Sequence, residues 1–407
     1  MEMEKLLTAT SFPLNYDCTF ELLLWLGFDE CMNMAETYEG LQPIADRVYK
    51  RKFNKLAFDF QQPIDRILYH AGPTAKSLTL TFSTFDNLQT DLDNIVKTCK
   101  QLQCLTLNEL NVKKLVNHPF AHIATDHLQM LTLNQCSLEE DVHFFDGYTK
   151  LKYLNLNKCR KVDIISMKKC FERNQGITSF VCNVQYFFYP TLLQLLPNLK
   201  KLNLRYNSRY MELGVLSKLE SLRHLTLVCF LENVNDALVA LAKVNRLEEL
   251  VLIDVVPDDK TFPLIKKLET LQLLAAISDR CHFPSSSDLP PNLKALKLGG
   301  CGIADNAIAS TLKHLKHLRA IHLQNCEWER NGVWIGDFDS LADFVVDEVI
   351  AEHPHRHLNV ELVSFYDQTP EVSVEEIQQN EKTLKINWRR FLFTDNRSSR
   401  TSSDHQF

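Results

Sequence analysis

His353, His355 and His357 alternate along the chain. In an extended segment their imidazoles fall on one side, the arrangement from which a zinc ion takes nitrogen ligands. No Cys or carboxylate stands at ligand spacing beside them, so the cluster reads as surface histidines rather than a metal site. The second candidate chemistry is that of thiols. The chain carries 12 cysteines and no Cys-x-x-Cys pair, so zinc-finger spacing is absent. Cys136, Cys159, Cys301 and Cys326, with Asn207, recur at one place in a longer pattern. There they read as small packing groups at inward turns, not as redox or metal centres. The run "LGGCGI" around Gly299 lacks the Lys-Ser/Thr of a phosphate loop, and no GxSxG, HExxH or kinase set occurs. The residues therefore lead to the expectation of a chain that is not an enzyme and holds no cofactor or metal.

What positions these residues is a repeat, Leu-x-x-Leu-x-Leu-x-x-Cys/Asn. Clear copies begin at Leu128, Leu151, Leu199, Leu293 and Leu318. Variants begin at Leu102, Ile177, Leu222, Leu247 and Leu268, weaker copies at Phe53 and Ala75, and a last one at His357. The start-to-start spacings are 22, 27, 26, 23, 26, 22, 23, 25, 21, 25, 25 and 39 residues. All but the last lie in the leucine-rich-repeat period of about 20–29. The alternation in each copy suits a short strand with one buried face, and stacked copies bury leucines that one copy cannot. The expected fold is α/β: a horseshoe solenoid with a parallel sheet on its concave side. Return segments such as Asn235–Val244 and Asp305–Leu315 show helical spacing with an Asn or Asp near the start, where a cap belongs.

Composition is that of a globular chain, 45% hydrophobic and 24% charged, with net charge −6 and pI near 6.2. That balance carries no general footprint for nucleic acid or an anionic membrane. The most apolar stretch, "LNYDCTFELLLWLGF" (Leu14 to Phe28), follows an acidic start and is too short to span a bilayer. A soluble cytoplasmic or nuclear chain is expected. Asn15 or Asp17 can cap a helix running to about Leu26, with Cys18, Leu22, Trp25 and Leu26 on one face and Phe20, Leu23 and Leu24 on others. Such a helix is expected to be buried on more than one side. A second helical pattern follows, broken near Pro43.

Residues 14–58 resemble an F-box followed directly by leucine-rich repeats, in the style of insect F-box proteins with cysteine-type repeats. Leu14 matches the first Leu of the box, Leu22 and Leu23 its apolar pair, and Leu26 the Leu ending its first helix. Glu30-Cys31 stands where Asp-Leu is usual, Thr37-Tyr38 replaces Val-Cys, and Leu41 lies near the usual Trp. Pro13 precedes Leu14 instead of following it. The resemblance implies a substrate-recognition adaptor of an SCF-type cullin–RING ubiquitin ligase. The box would bind the Skp adaptor, and through it cullin, by way of Leu14, Leu22, Leu23, Trp25, Leu26, Cys31 and Leu41. The repeats would hold a target protein; neither nucleic acid nor membrane is an expected partner. The competing reading makes residues 13–52 a solenoid cap on an interaction scaffold with no ubiquitin role.

The third, fifth and seventh positions of each repeat should face the concave surface. In the N-terminal half they form a polar ladder including Asn108, Asn134, Asn157 and Asn183, which can hydrogen-bond along the sheet. Further on they include apolar Val228, Val251, Ile253 and Leu274, with Lys201, Arg205 and His224 beside them, a candidate target-binding patch. The expected organisation is an extension over 1–12, the helical module over 13–52, and 12 to 13 repeats over 53–368 with an insertion at 327–356. A C-terminal helix and flexible tail over 369–407 complete it. Trp328 and Trp334 are placed in a loop of the insertion and a helix from Asp339 or Ser340 near its end. The Arg/Ser-rich tail offers phosphate-acceptor sites.

Overall fold

The structure is a computed structural model. It describes residues 14–58, 64–82, 88–114, 127–139, 141, 143–184, 189–206, 213–229, 234–255, 260–282, 284–303, 307–324, 326–330, 333–335, 358–363 and 384–388. The histidine cluster, Asn207, the expected helix after Asp339 and the Arg/Ser tail lie outside these residues. The chain divides into two compact units, 1–222 and 223–407.

The first unit opens with helices α1 (Tyr16–Trp25), α2 (Phe28–Thr37) and α3 (Gln42–Lys52). The side chain of Asn15 caps α1, its Oδ1 accepting from Cys18 N at 2.9 Å. Glu30 reaches back to the Gly27 amide at 2.7 Å and secures the start of α2. Pro43 falls in the first turn of α3, where its missing N–H costs nothing. Seven strands follow: β1 (Lys55–Phe58), β2 (Ser77–Thr81), β3 (Cys104–Asn108), β4 (Met130–Asn134), β5 (Tyr153–Cys159), β6 (Ser179–Val184) and β7 (Lys201–Tyr206). Each pairs in parallel with the next. The returns run through α4 (Ile64–Ala71), α5 (Leu88–Thr98) and α6 (Ile164–Arg173), or through 3-10 turns such as Pro190–Leu195.

The second unit repeats the plan. Strands β8 (His224–Cys229), β9 (Glu249–Ile253), β10 (Leu273–His282), β11 (Ala295–Ile303) and β12 (Ala320–Gln324) lie parallel, joined through helices α7 (Asn235–Val244), α8 (Thr261–Lys266) and α9 (Ala307–His314). Glu327–Arg330 (β13) and Val333–Ile335 (β14) form an antiparallel hairpin, so Trp328 and Trp334 stand on strands and not in a loop. Next come β15 (Leu358–Val363), parallel to β12, and β16 (Leu384–Trp388), parallel to β15. The stretch expected as a C-terminal helix thus contains a strand at Leu384–Trp388. This is a leucine-rich-repeat solenoid fold, mixed α/β, with a small all-helical module ahead of the repeats.

The core follows from the motif. Position-one, -four and -six residues are sealed off from water, as with Leu102, Leu105, Leu107, Leu151, Leu154 and Leu156. Each such burial contributes on the order of 1.5–3 kcal/mol. At position eight the backbone turns left-handed: Glu109, Gln135, Lys158, Asp254 and Gly300 have φ of 59°, 55°, 54°, 57° and 65°. That turn drops the next side chain inward. The Cys136 thiol donates to Leu107 O of the preceding repeat, and the Cys159 thiol to Leu133 O, each at 3.3 Å. A buried peptide carbonyl thereby gains a partner. Burial also pushes the Cys99 and Cys170 thiols up to about 12, which suits packing and not nucleophilic work.

One expected copy is shifted. The strand beginning at Leu273 places Leu274 opposite Leu250 and Leu296, both core residues. The repeat therefore starts at Leu271, reading Leu271-x-x-Leu274-x-Ala276. Leu274 is fully buried and cannot contact a target.

Candidate protein-binding interface

The N-terminal module exposes what the helical pattern was expected to hide. Of α1, only Thr19 and Leu23 are buried. Trp25 is 85% exposed and Leu14 40% exposed, while Leu22 and Leu26 are half-buried. Leu23, Cys31 and Leu41 are inside the module and act on its packing, so they are not surface contacts. The expected Skp-facing set thus splits into a surface group of Leu14, Leu22, Trp25 and Leu26 and an internal group of three.

Three features that the sequence reading missed hold α1 in place. Lys52 Nζ donates to Leu24 O at 2.7 Å and Leu26 O at 2.6 Å, closing the open carbonyls at the helix end. The Arg47 guanidinium lies 5.4 Å from the Tyr16 ring centre and 5.2 Å from that of Phe20, and Arg51 lies 5.8 Å from Phe20. Arg47 also donates to the Tyr16 hydroxyl. These cations replace an apolar neighbour across part of α1. The signal for them was the basic end of α3, "DRVYKRK", two helices after an α1 that carries Tyr16 and Phe20.

The opposite side of the module is bolted to the first return helix. Glu36 of α2 accepts from Arg66 Nε at 2.9 Å and Nη2 at 2.8 Å, and its Oε1 lies 3.0 Å from His70 Nε2. His70 is buried, and its ring packs against that of Tyr49, tilted by 54° with centres 5.7 Å apart. The Arg66 hydrogen bonds, then His70, hold the Glu36 carboxyl down at about 2 from an ordinary value of 4.5. In that window the unfolded chain binds the proton that the folded chain refuses. Stability should therefore fall as pH drops from 4.5 towards 2. Glu36→Gln should flatten that acid limb in urea midpoints measured across it; an unchanged limb would contradict the bolt.

On the open face of the first unit, the amide ladder forms as expected. Asn134 Nδ2 donates to Asn108 Oδ1 at 2.9 Å, Asn157 to Asn134 at 3.4 Å and Asn183 to Asn157 at 2.9 Å, and Asn108 donates to Thr81 Oγ1 at 3.0 Å. Arg205 is next in the row beyond Asn183. Lys201 and Arg205 are both exposed. In the second unit, Val228, Ile253 and Ile277 line up in register across three strands, with Gly299 after them. A Cβ on Gly299 would meet Ile277 Cγ2 at 2.8 Å, so Ile277 lies over it. Val251 is half-buried in the adjacent row. His224 sits 2.8 Å from Glu249 and is a paired group, not a free cation at the patch rim. The two halves of the expected target-binding set belong to different compact units.

No known family matches the sequence, and no curated protein does. Among solved structures, an internalin (inlF) from Listeria monocytogenes aligns over 80% of this chain and 89% of its own, at 15% identity and a TM-score of 0.44. The TLR13–ssRNA13 complex aligns over 84% of this chain, at 16% identity and a TM-score of 0.40. There the match spans 52% of the other chain, about half its length. What the structure shows plainly is a leucine-rich-repeat solenoid fold with a helical module ahead of the repeats.

Proposed function

We propose that this chain is a substrate-recognition adaptor of an SCF-type cullin–RING ubiquitin ligase, with the N-terminal helices on the Skp adaptor and the repeats on a target protein. The observation that supports it most is the division of labour within the module. α2 and α3 turn inward, against α4 and the first repeat, through Glu36, Arg66 and the tilted Tyr49–His70 ring contact. α1 turns outward with Trp25 in solvent, Leu14 exposed just ahead of it and Leu22 half-buried. A module serving only as a cap has no reason to leave a tryptophan 85% exposed on its far helix. Capping and partner binding thus use different faces, and the one does not replace the other.

The experiment is co-purification of Skp adaptor with the full chain and with Leu22→Asp/Trp25→Ala. Trp25 is exposed and Leu22 half-buried, so the variant's melting temperature is measured beside its recovery, and Trp25→Ala alone serves as the control that leaves the module folded. Recovery with the native chain and its loss with the variant support the reading. Equal recovery, or none with the native chain, sinks it.

A further inference from the structure

The second position of each repeat forms a surface row of its own. In the first unit, backbone hydrogen bonds of 2.8–2.9 Å link Asn54, Lys76, Gln103, Gln129, Lys152, Thr178 and Lys200 in succession, each amide donating to the previous carbonyl. The row is the rim at which the strands begin. Lys55 and Lys201 open the adjoining row on β1 and β7, and Lys100 stands in the turn before β3. Lys55, Lys76, Lys100, Lys152, Lys200 and Lys201 are all exposed. None has a side-chain hydrogen bond or ion pair among the described residues. Of the described turn residues leading into β2 to β7, Asp146 before β5 is acidic, and it is taken up by His143 at 2.7 Å and Arg173 at 3.1 Å.

The same rim of the second unit behaves differently. There Arg223 lies 3.7 Å from Glu248, Lys294 donates to Gln272 at 2.9 Å, and Glu269 adds a further carboxylate to a groove of about 750 Å³. Its charges are of both signs, and Arg223 and Glu248 pair within it. Unpaired like charges along a sheet edge are unfavourable to the folded chain, and a chain of net charge −6 has carboxylates enough to neutralise them.

We infer that the rim of the first unit is a docking strip for a short acidic segment of a partner protein. Strands are about 4.8 Å apart, so Lys76 and Lys152 stand about 14 Å apart and Lys152 and Lys200 about 10 Å. An extended peptide rising about 3.3 Å per residue meets them with carboxylates four and then three residues apart. The glutamines and threonine between offer hydrogen bonds without charge. Length discriminates against other anions. Within a Debye length of about 8 Å a short segment feels only the lysines, whereas a long polyanion runs on into the field of a net-negative chain. The rim also lacks the arginines and stacked aromatic side chains that hold single-stranded nucleic acid. This inference rests on the repeats as a protein-holding surface and not on the Skp adaptor.

The test titrates the full chain against a fluorescein-labelled peptide of about ten residues, with glutamates four and then three residues apart and serines elsewhere, at about 50 and about 300 mM salt. The comparison is a Lys76→Gln/Lys152→Gln/Lys200→Gln variant. Native affinity should fall at least about tenfold across that salt range, and the variant should bind at least about tenfold more weakly at low salt with an unchanged melting temperature. The inference is overturned if the variant binds equally well, if the native chain does not bind the peptide, or if a single-stranded RNA or phosphatidylserine vesicles bind the strip more tightly. The variant should still recover Skp adaptor, so failure of the strip and failure of the adaptor reading are seen separately.

Discussion

Leu274→Ala should lower the unfolding free energy by about 2–5 kcal/mol, and Leu273→Ala by about 1 kcal/mol or less. The two residues are neighbours of identical chemistry, and only the strand register separates them. Leu274 lies between Leu250 and Leu296 in the core, while Leu273 lies between Glu249 and Ala295 on the open face. Truncating the first removes a fully buried side chain and leaves a cavity that the stacked repeats on either side cannot close. Truncating the second trims a half-exposed surface. Urea midpoints for both single variants check this. The reverse order of effects would restore the repeat start at Leu268 and return Leu274 to the surface.

Trp25→Ala should weaken Skp-adaptor binding by about 2 kcal/mol or more, roughly thirtyfold, and leave the melting temperature almost unchanged. Exposed apolar area sets the size of the effect. A tryptophan left in solvent contributes little to folding, yet it carries a large apolar surface for a partner pocket. Its neighbours cooperate: Lys52 closes the end of the helix and Arg47 and Arg51 fix its aromatic side, so the residue is presented on a rigid element. By the same reasoning Leu23→Asp is a poor probe, since it buries a charge and unfolds the module before it reports on binding.

Much of this was legible before any coordinates. The repeat register read from Leu, Cys and Asn placed twelve of the thirteen expected copies on their strands, because burial at positions one, four and six is dictated by side-chain alternation. The copy at Leu268 misled because Leu268, Leu271, Leu273 and Leu274 offer two overlapping motifs, and spacings of 21 and 25 or of 24 and 22 fit the period equally well. Only pairing with β9 and β11 decides between them. β16 went unread because its three alternating apolar residues follow a run of helix-forming Glu, Gln and Lys. At the N-terminus the sequence revealed an apolar helix but not which side turned inward. Helical spacing assigns residues to faces, whereas the choice of face comes from contacts with α3 that lie some 30 positions away in the chain. The lysine rim was readable as second-position residues, but a row that no strand alternation singles out shows itself only once the backbone links are known.

The adaptor proposal stands on α1 as a partner-binding helix carried on a repeat scaffold. Its most direct test is calorimetric titration of purified Skp adaptor into the purified full chain, beside Trp25→Ala. The account predicts a one-to-one complex with Kd below about 1 μM and a loss of roughly thirtyfold in the variant. No complex at about 100 μM, or an affinity that ignores Trp25, would contradict it.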